Sequence, residues 1–560
     1  MRRLFLMLAL GPLFAACAPD SGSDADTDSD TDVDADTDSD TDTGPGEFRL
    51  LHEFPAVAEP GAAYEHVFRA EGGTPPYDNW HVRKGELADW MSLDAGSGTL
   101  SGTPADEGFS YFVLCAEDAE SAEACEMYGV RSGAPGTVGS LATRAEGYQQ
   151  TYEARHYTHG IAFNARTPDD PGGHYGYTTR GDAAFQSGQC TQAMALRHAV
   201  LDTPETLDLI RRHLQGWRDF QRITGVKGLI GRSFYRDDWP MEPGAFDYEG
   251  HGHLFQGTGD FVGWTWQADT SRDQVSGAVN GVAMAFDAVD DEQVKNDARE
   301  FLVDLADHVW DNGLKIIDVD GEVTEHGEMD GEIWEGAPFP NGMNAVCTLA
   351  WLKAAHHASG EPRFEEYYRE LVYERDYVSI LRDHQWVYMG YGTTWYNVFL
   401  VYQNWFHLMR LERDPVLREQ YHAIFRDTMW LNTAGKRTPN RKAIAEGNPL
   451  KIAWYLYSTG ERDPERLHDA LWQVVVFGEP PLRDRRVENS SDPEIEKNPD
   501  KLDESLYPLP SNLRKPDMVI WHRNPFELDG GSDSGEERTG CDYLLPYWLG
   551  RYYGYIGADW

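Results

Sequence analysis

Two hydrophobic rhythms divide the chain. From Glu47 to about Arg131 apolar and polar residues alternate in short runs, as at Ala63 to Ala70 and Tyr111 to Cys115, with breaks at Pro75, Pro76 and Tyr77; the pattern predicts strands. Beyond Gly147 apolar residues recur at steps of three and four, and long helices follow. Amphipathic segments begin near Thr203, Asp290, Glu361, Asp414 and Asp463. Four of them place a proline just inside the start, at Pro204, Pro362, Pro415 and Pro464, where no hydrogen bond is lost. Leu207, Ile210, Leu214 and Trp217 form a narrow stripe suited to a helix with one face in water. Tyr396 to Leu411 and much of Asn344 to Ala355 are apolar almost all round, so these helices are expected to be buried on most sides. Alternation of buried and half-exposed helices predicts stacked αα-hairpins. Starts at Ala183, Thr203, Ser271, Asp290, Asn341, Glu361, Thr393, Asp414, Leu450, Asp463 and Cys541 make eleven, nearly six pairs.

Composition sorts the ends and the partners. Arg2 and Arg3 precede an apolar run from Leu4 to Phe14, followed by Ala15, Ala16 and Cys17, too short to span a bilayer permanently. This start resembles a bacterial lipoprotein signal with its lipobox, which implies cleavage before Cys17, lipidation of that cysteine and, since Ala18 is not aspartate, an address at the outer membrane. Residues 18–46 alternate Asp with Thr, Ser and Ala and carry eleven aspartates from Asp20 to Asp42. Such a segment has nothing to bury and is expected to be a disordered tether. The formal charge is −45; without Arg2 and Arg3 it is −47, and without the eleven aspartates the remainder still carries −36. Nucleic acid is thereby excluded as a natural partner, and a highly anionic polysaccharide is disfavoured. Cys115 and Cys125, ten apart in strand-rich sequence, are expected to form a disulfide in an oxidising compartment. Cys190, Cys347 and Cys541 lack metal-ligand spacing, so no metal site is expected; a Cys190–Cys541 bridge would close the first helix of the large domain on the last.

Ala88 to Gly108, ADWMSLDAGSGTLSGTPADEG, resembles the bacterial immunoglobulin-like or cadherin-like module, with Trp90, Leu93, Leu100, Gly102, Thr103 and Pro104 at the matching positions. The resemblance implies a β-sandwich over 47–131 that acts as a spacer. Some relatives bind calcium; no cofactor is expected here, since no residue set fixes a coordination geometry, and calcium in this module or among the dense carboxylates of the tether is the alternative. Residues 132–147, small and polar, read as a linker. Residues 148–560 resemble the (α/α)6 toroid of six-hairpin glycosidases and related lyases, with a long excursion at 478–540. The fold class expected is therefore multidomain: a small all-β immunoglobulin-like sandwich followed by a large all-α toroid. No DxDD motif or zinc-ligand set points to the terpenoid cyclases or prenyltransferases that share the toroid.

A 12% aromatic fraction with 18 tryptophans favours a sugar ligand, since indole faces stack on pyranose rings. The richest stretch is Phe261 to Phe286, where Trp264 and Trp266 lead through Asp269, Thr270, Ser271, Arg272, Asp273 and Gln274 into a helix. A structural account of these polar residues exists: Ser271 with Gln274, or Thr270 with Asp273, matches a capping box, and Asp182 matches a helix cap. The functional account makes Asp269 and Asp273 the first candidates for acid and base, with Asp182 and His326 next. Trp264, Trp266 and Trp334 then serve as stacking platforms, with Arg232, Arg272 and Gln274 as substrate-binding residues. Further candidates surround them: Arg180, Gln186 and Gln189; Tyr235, Arg236 and Asp237; His251 and His253; Glu325, Glu328, Asp330, Glu332 and Glu335. Within the excursion, Trp521, His522 and Arg523 stand out. Ile317 to Val323 reads as a hairpin around Asp320-Gly321. The expected activity is glycan cleavage by two carboxyls at the cell surface. The alternatives are a non-catalytic glycan- or partner-binding envelope protein, or a polysaccharide lyase using His326, Tyr396 and Arg232 on a uronate.

Overall fold

Eight short strands precede the helices: β1 (Arg49–Leu50), β2 (Tyr64–Val67), β3 (Ala70–Glu71), β4 (Asp78–Gly85), β5 (Met91–Asp94), β6 (Thr99–Gly102), β7 (Gly108–Glu117) and β8 (Glu123–Ser132). In this computed structural model, which describes residues 46–133, 140–167, 175–178, 181–242, 253–334, 338–383, 395–431, 445–516 and 519–560, they form antiparallel sheets β4-β7-β8 and β2-β6-β5 and a β1-β3 pair. Leu50, Phe68, Trp80, Leu100, Phe112, Leu114, Tyr128 and Val130 make their common core. Gly102 is required by close approach: a Cβ there would lie 1.8 Å from the Trp90 carbonyl oxygen. Cys115 pairs with Cys125 across β7 and β8 and is bonded to it, as expected. The lipobox Cys17, Arg180, His251 and Glu335 lie outside the described residues.

The helical part contains α1 (Leu141–Thr151), α2 (Ala183–Leu201), α3 (Pro204–Arg222), α4 (Arg272–Ala288), α5 (Glu292–Asp311), α6 (Gly342–Ser359), α7 (Pro362–Arg369), α8 (Tyr377–Asp383), α9 (Trp395–Leu411), α10 (Pro415–Phe425), α11 (Pro449–Thr459), α12 (Pro464–Val475) and α13 (Cys541–Tyr552). Six of these pack successively in an inner ring, α2 on α4, then α6, α9, α11 and α13, and α13 returns to α2. The Cys190–Cys541 disulfide fastens that return. Amphipathic α3, α5, α7, α10 and α12 form outer layers, and α1 completes them beside α13. The helical toroid is thus reached by side-chain packing, and the four prolines stand at first helical positions as expected.

One organisational expectation needs correction. The 132–147 linker is cut short because α1 starts at Leu141, capped by the Ser140 hydroxyl on the Thr143 amide. Its Leu141, Ala145 and Tyr148 are buried, a stripe obscured by the small and charged residues between them. The β part is also docked on the helices. Lys84 pairs with Asp469 of α12 at 2.7 Å, Tyr111 packs on His468 with ring centroids 4.8 Å apart, and Trp560 sits against Phe109 and Gly129.

The closest helix contact in the ring is α2 against α4. A Cβ on Gly188 would lie 2.0 Å from the Gly277 carbonyl oxygen, and one on Gly281 2.5 Å from that of Gly188. Glycine at these three positions lets the two backbones touch, which brings the first turns of α2 and α4 together.

Candidate functional site

Side-chain bonds join the first turns of α2, α4 and α6 at one mouth of the ring. At α6 and α11 the residue before the helix performs ordinary capping: Asn341 accepts from the Met343 and Asn344 amides, and Asn448 from that of Lys451. At α2 and α4 it does not. Asp182 precedes α2 with φ −119° and ψ 23°, away from the extended backbone that capping uses, and its carboxyl makes no cap bond; Ser271 makes none at α4. The caps offered at Asp182 and Ser271 therefore fail, and among the described residues the Thr270 hydroxyl bonds to nothing either.

The orphaned amides of α2 are satisfied from elsewhere. The Arg232 carbonyl accepts from the Ala184 amide at 3.0 Å, and Gln274 Oε1 of α4 accepts from the Phe185 amide at 2.9 Å. The same Gln274 donates through Nε2 to Asp182 Oδ1 at 2.9 Å. This side chain, expected to bind substrate, is 1% exposed and acts as a bridge between two inner helices. Asp182 is thereby released from helix duty and held by one amide, with the Arg232 guanidinium 3.5 Å away.

Asp182 and Asp273 differ in environment although they lie within electrostatic reach of each other. Burial pushes the Asp182 carboxyl above its ordinary range; Arg232 opposes the rise, and the Asp273 charge adds to it. Asp273, in the first turn of α4, is half-buried, and among the described residues no side chain hydrogen-bonds to its carboxylate. Ser276 and Asn280 follow it at three and seven residues on the same helix face. Ser276 meets Cys347 of α6 and Asn404 of α9, so this face looks across the inside of the ring. Arg272 donates to Asn344 Oδ1 of α6 at 3.2 Å.

Other expected residues are placed differently. Asp269 adopts a left-handed backbone (φ 58°) and is tied on three sides: its amide donates to Asp318, its carbonyl accepts from Arg232, and its Oδ1 accepts from the Glu325 amide at 2.8 Å. It anchors the hairpin of Lys315–Ile317 and Val323–Glu328, which forms around Gly321 as predicted, and its Oδ1 is committed to that role. Arg232 is 6% exposed and donates through Nε and Nη1 to the Gly181 and Asp269 carbonyls, while its Nη2 lies 3.5 Å from Asp182 Oδ1. Trp266 is 3% exposed and stacked on Phe255, while Trp264 is packed among His159, Phe234, Trp239 and Phe261. A stacking platform needs an open face, and these indoles have given theirs to the protein. They share one face of the strand Trp264–Gln267, whereas Gln267, beside Gly181, lies on the other. Trp334 keeps 39% of its surface exposed, and His326 stands exposed on its hairpin strand. Asp330 is paired with Arg375 and Tyr377, and these hold its carboxyl below the usual range against the effect of burial.

The excursion folds into the site. Trp521 and His522, which it contributes, are buried. The His522 ring stacks on Phe185 of α2 with centroids 5.7 Å apart and abuts Phe399 of α9; Arg523 lies close enough to oppose the rise at Asp182. Asp542, in the first turn of α13, accepts from the Ile520 amide and fastens this strap to the mouth. Sequence inspection singled out His522 and Arg523 but not Asp542 or Asn344; their signal is position, in the first turn of an inner helix.

No family model matches the chain, and no curated protein matches it. Among solved structures, a family 76 glycoside hydrolase from a bovine Bacteroides thetaiotaomicron strain matches over 90% of this chain and 98% of its own, at 11% identity and TM-score 0.38. A sugar epimerase from a ruminal bacterium matches over 74% and 98%, again at 11% identity and TM-score 0.38. A Bacteroides fragilis chain whose description proposes an alpha-galactosidase matches over 20% of this chain, which spans 25% of that protein, at 21% identity and TM-score 0.14. Scores this low carry no argument about activity, which rests on the residues at the mouth.

Proposed function

We propose that the helical domain hydrolyses glycosidic bonds, with Asp182 as the proton donor and Asp273 as the ionised partner. The observation that carries this reading is the division of labour between two carboxyls on adjacent inner helices. One is half-buried, raised by desolvation and relieved of capping; the other accepts no side-chain hydrogen bond among the described residues and faces the interior of the ring. Hydrolysis asks for that difference: the neutral carboxyl gives its proton to the leaving oxygen, and the carboxylate activates water or attacks the anomeric carbon. In the whole chain this domain follows a lipid anchor at Cys17, an acidic tether and an immunoglobulin-like β module, an arrangement suited to processing glycans at the outer surface of a bacterial envelope.

The test is release of reducing ends from a polysaccharide panel by the full chain and by Asp182→Asn and Asp273→Asn. Each substitution should lower kcat by about 10²–10⁴-fold with melting temperature retained. Because Asp182 acts protonated, activity should fall as pH rises through its elevated pKa. Full turnover in both folded variants would falsify the assignment, and a product absorbing as an unsaturated uronate would replace hydrolysis by elimination.

A further inference from the structure

The outer helices hold a cleft that the chemistry at the mouth leaves unused. After α7 the backbone widens by one residue: the Arg375 amide donates to the Glu370 carbonyl, five positions back, at 3.0 Å. Turns of this kind recur at functional positions. Phe364, Tyr368, Leu371 and Val372 keep the buried stripe, and the wide turn puts Tyr373 outside it with 52% of its surface exposed. The Arg369 guanidinium lies over one face of the ring, 5.0 Å from its centroid, and leaves the other for the cleft. That cleft measures about 300 Å³; buried Val378 and Leu417 lie at its base, and Val416 of α10, 65% exposed, stands beside Tyr373 in its wall. Its polar lining is under-used. Among the described residues nothing bonds to or pairs with the Arg382 guanidinium or the Gln420 amide, in a chain of formal charge −45. Asp414 gives one carboxylate oxygen to the Val416 and Leu417 amides, Asp376 gives one to the Ser379 amide, and each keeps a second.

We infer that this cleft is a second glycan-binding site, which takes one neutral pyranose unit of a polysaccharide chain against Tyr373. The inference rests on the hydrolase reading for the class of polymer and not for its chemistry, in which Tyr373 has no part. A pyranose offers an apolar face to the tyrosine ring and to Val416, and a rim of hydroxyls to the polar lining. Arg382 and Gln420 donate to hydroxyl oxygens, and the spare oxygens of Asp376 and Asp414 accept hydroxyl protons, so a group that both donates and accepts suits every one of them. The charges balance: two carboxylates line the cleft with one guanidinium, and Arg369 stands behind the ring. Neither a strongly anionic nor a strongly cationic ligand finds a complementary field there. The volume is at the small end of the range of about 300–1,000 Å³ that takes small ligands, which fits a single sugar unit. Exposed Tyr373 and Val416 leave the cleft open to solvent, as a polymer passing through it needs.

Affinity electrophoresis of the full chain in native gels containing mannan, xylan, dextran or galactan, each read against a gel without polysaccharide, tests this. At least one polysaccharide should retard the parent. In that gel Tyr373→Ala should weaken the apparent affinity by about threefold to tenfold, and so should Arg382→Ala combined with Gln420→Ala. Tyr373→Phe keeps the ring and should migrate as the parent does. All these variants should retain the parent melting temperature, because the side chains removed are exposed. The inference is overturned if no polysaccharide retards the parent, or if Tyr373→Ala and the Arg382/Gln420 double variant are retarded as strongly as the parent. It is also overturned by a concentration-dependent dimer, seen by sedimentation without polysaccharide and dissolved by Val416→Glu, which would give the cleft to a second copy of the chain. The hydrolase reading fails separately: full turnover in Asp182→Asn and Asp273→Asn removes the assigned chemistry and leaves the gel result standing on the Tyr373 variants.

Discussion

Replacing Gln274 probes the joint on which the site depends. Gln274→Met fills similar space but removes two bonds, the one accepted from the Phe185 amide and the one donated to Asp182, both 2.9 Å long. The Phe185 amide is the third of α2 and is buried, so losing its acceptor costs about 1–3 kcal/mol, and the charge-assisted bond adds roughly 1 kcal/mol more. A loss of about 2–4 kcal/mol, read as a lowered urea midpoint and melting temperature, is the expected outcome. Gln274→Glu divides the two roles. Its carboxylate still accepts from the amide but has no proton for Asp182 and adds a like charge beside it. The Gln274 bond holds the Asp182 pKa down, so either substitution should raise it. A carboxyl whose folded pKa is raised stabilises least at high pH, so the Glu variant should approach the parent at pH 5 and fall behind it at pH 8. The alkaline limb of activity should move to higher pH in both variants. Unfolding of Gln274→Met within about 0.5 kcal/mol of the parent at both pH values would refute the bridge.

Gly188→Ala places a methyl where the Gly277 carbonyl already stands, and should cost about 1–3 kcal/mol or more and reduce turnover by parting α2 from α4; calorimetry with a rate assay reads both. Burial pushes Asp542 up to about 7, so its contribution to stability is intact below the unfolded pKa and is lost as pH rises through about 7. Asp542→Asn, which keeps an acceptor for the Ile520 amide, should match the parent near pH 4 and exceed it at pH 8 by up to about 4 kcal/mol, measured by unfolding at the two pH values. Trp560→Ala should cost about 3 kcal/mol and replace one calorimetric transition by two as the β sheets separate from the helices.

The ring was legible because its signals are local. Proline at the first helical position and an apolar stripe need only neighbouring residues, so the starts at Pro204, Pro362, Pro415 and Pro464 could be read from sequence. Helix α1 lacked such a signal. Ala142, Thr143, Arg144 and Gly147 interrupt its stripe, and α13 and the residues around Trp560 supply the surfaces that bury it. Both disulfides could be proposed from spacing and position, but only packing brings Cys190 to Cys541 across 351 residues.

The site was half legible for a related reason. Asp269 and Asp273 are four residues apart and read as one acidic patch, yet the left-handed turn at Asp269 sends its carboxyl to the Glu325 amide while Asp273 enters the helix and faces inward. The capping boxes were sound local inferences that lost to distant competitors. Gln274 found a better-placed amide on α2 than on its own helix, and in taking it left the first turn of α4 without its capping box. A capping motif at the mouth of a ring is therefore ambiguous in sequence, since adjoining helix ends offer amides to any neighbour within reach. When a neighbour serves the helix, as Gln274 serves α2, the acid before that helix is free to bind a proton for chemistry. Asp182 meets that condition, whereas Asn341 and Asn448, at equivalent positions, still cap their own helices.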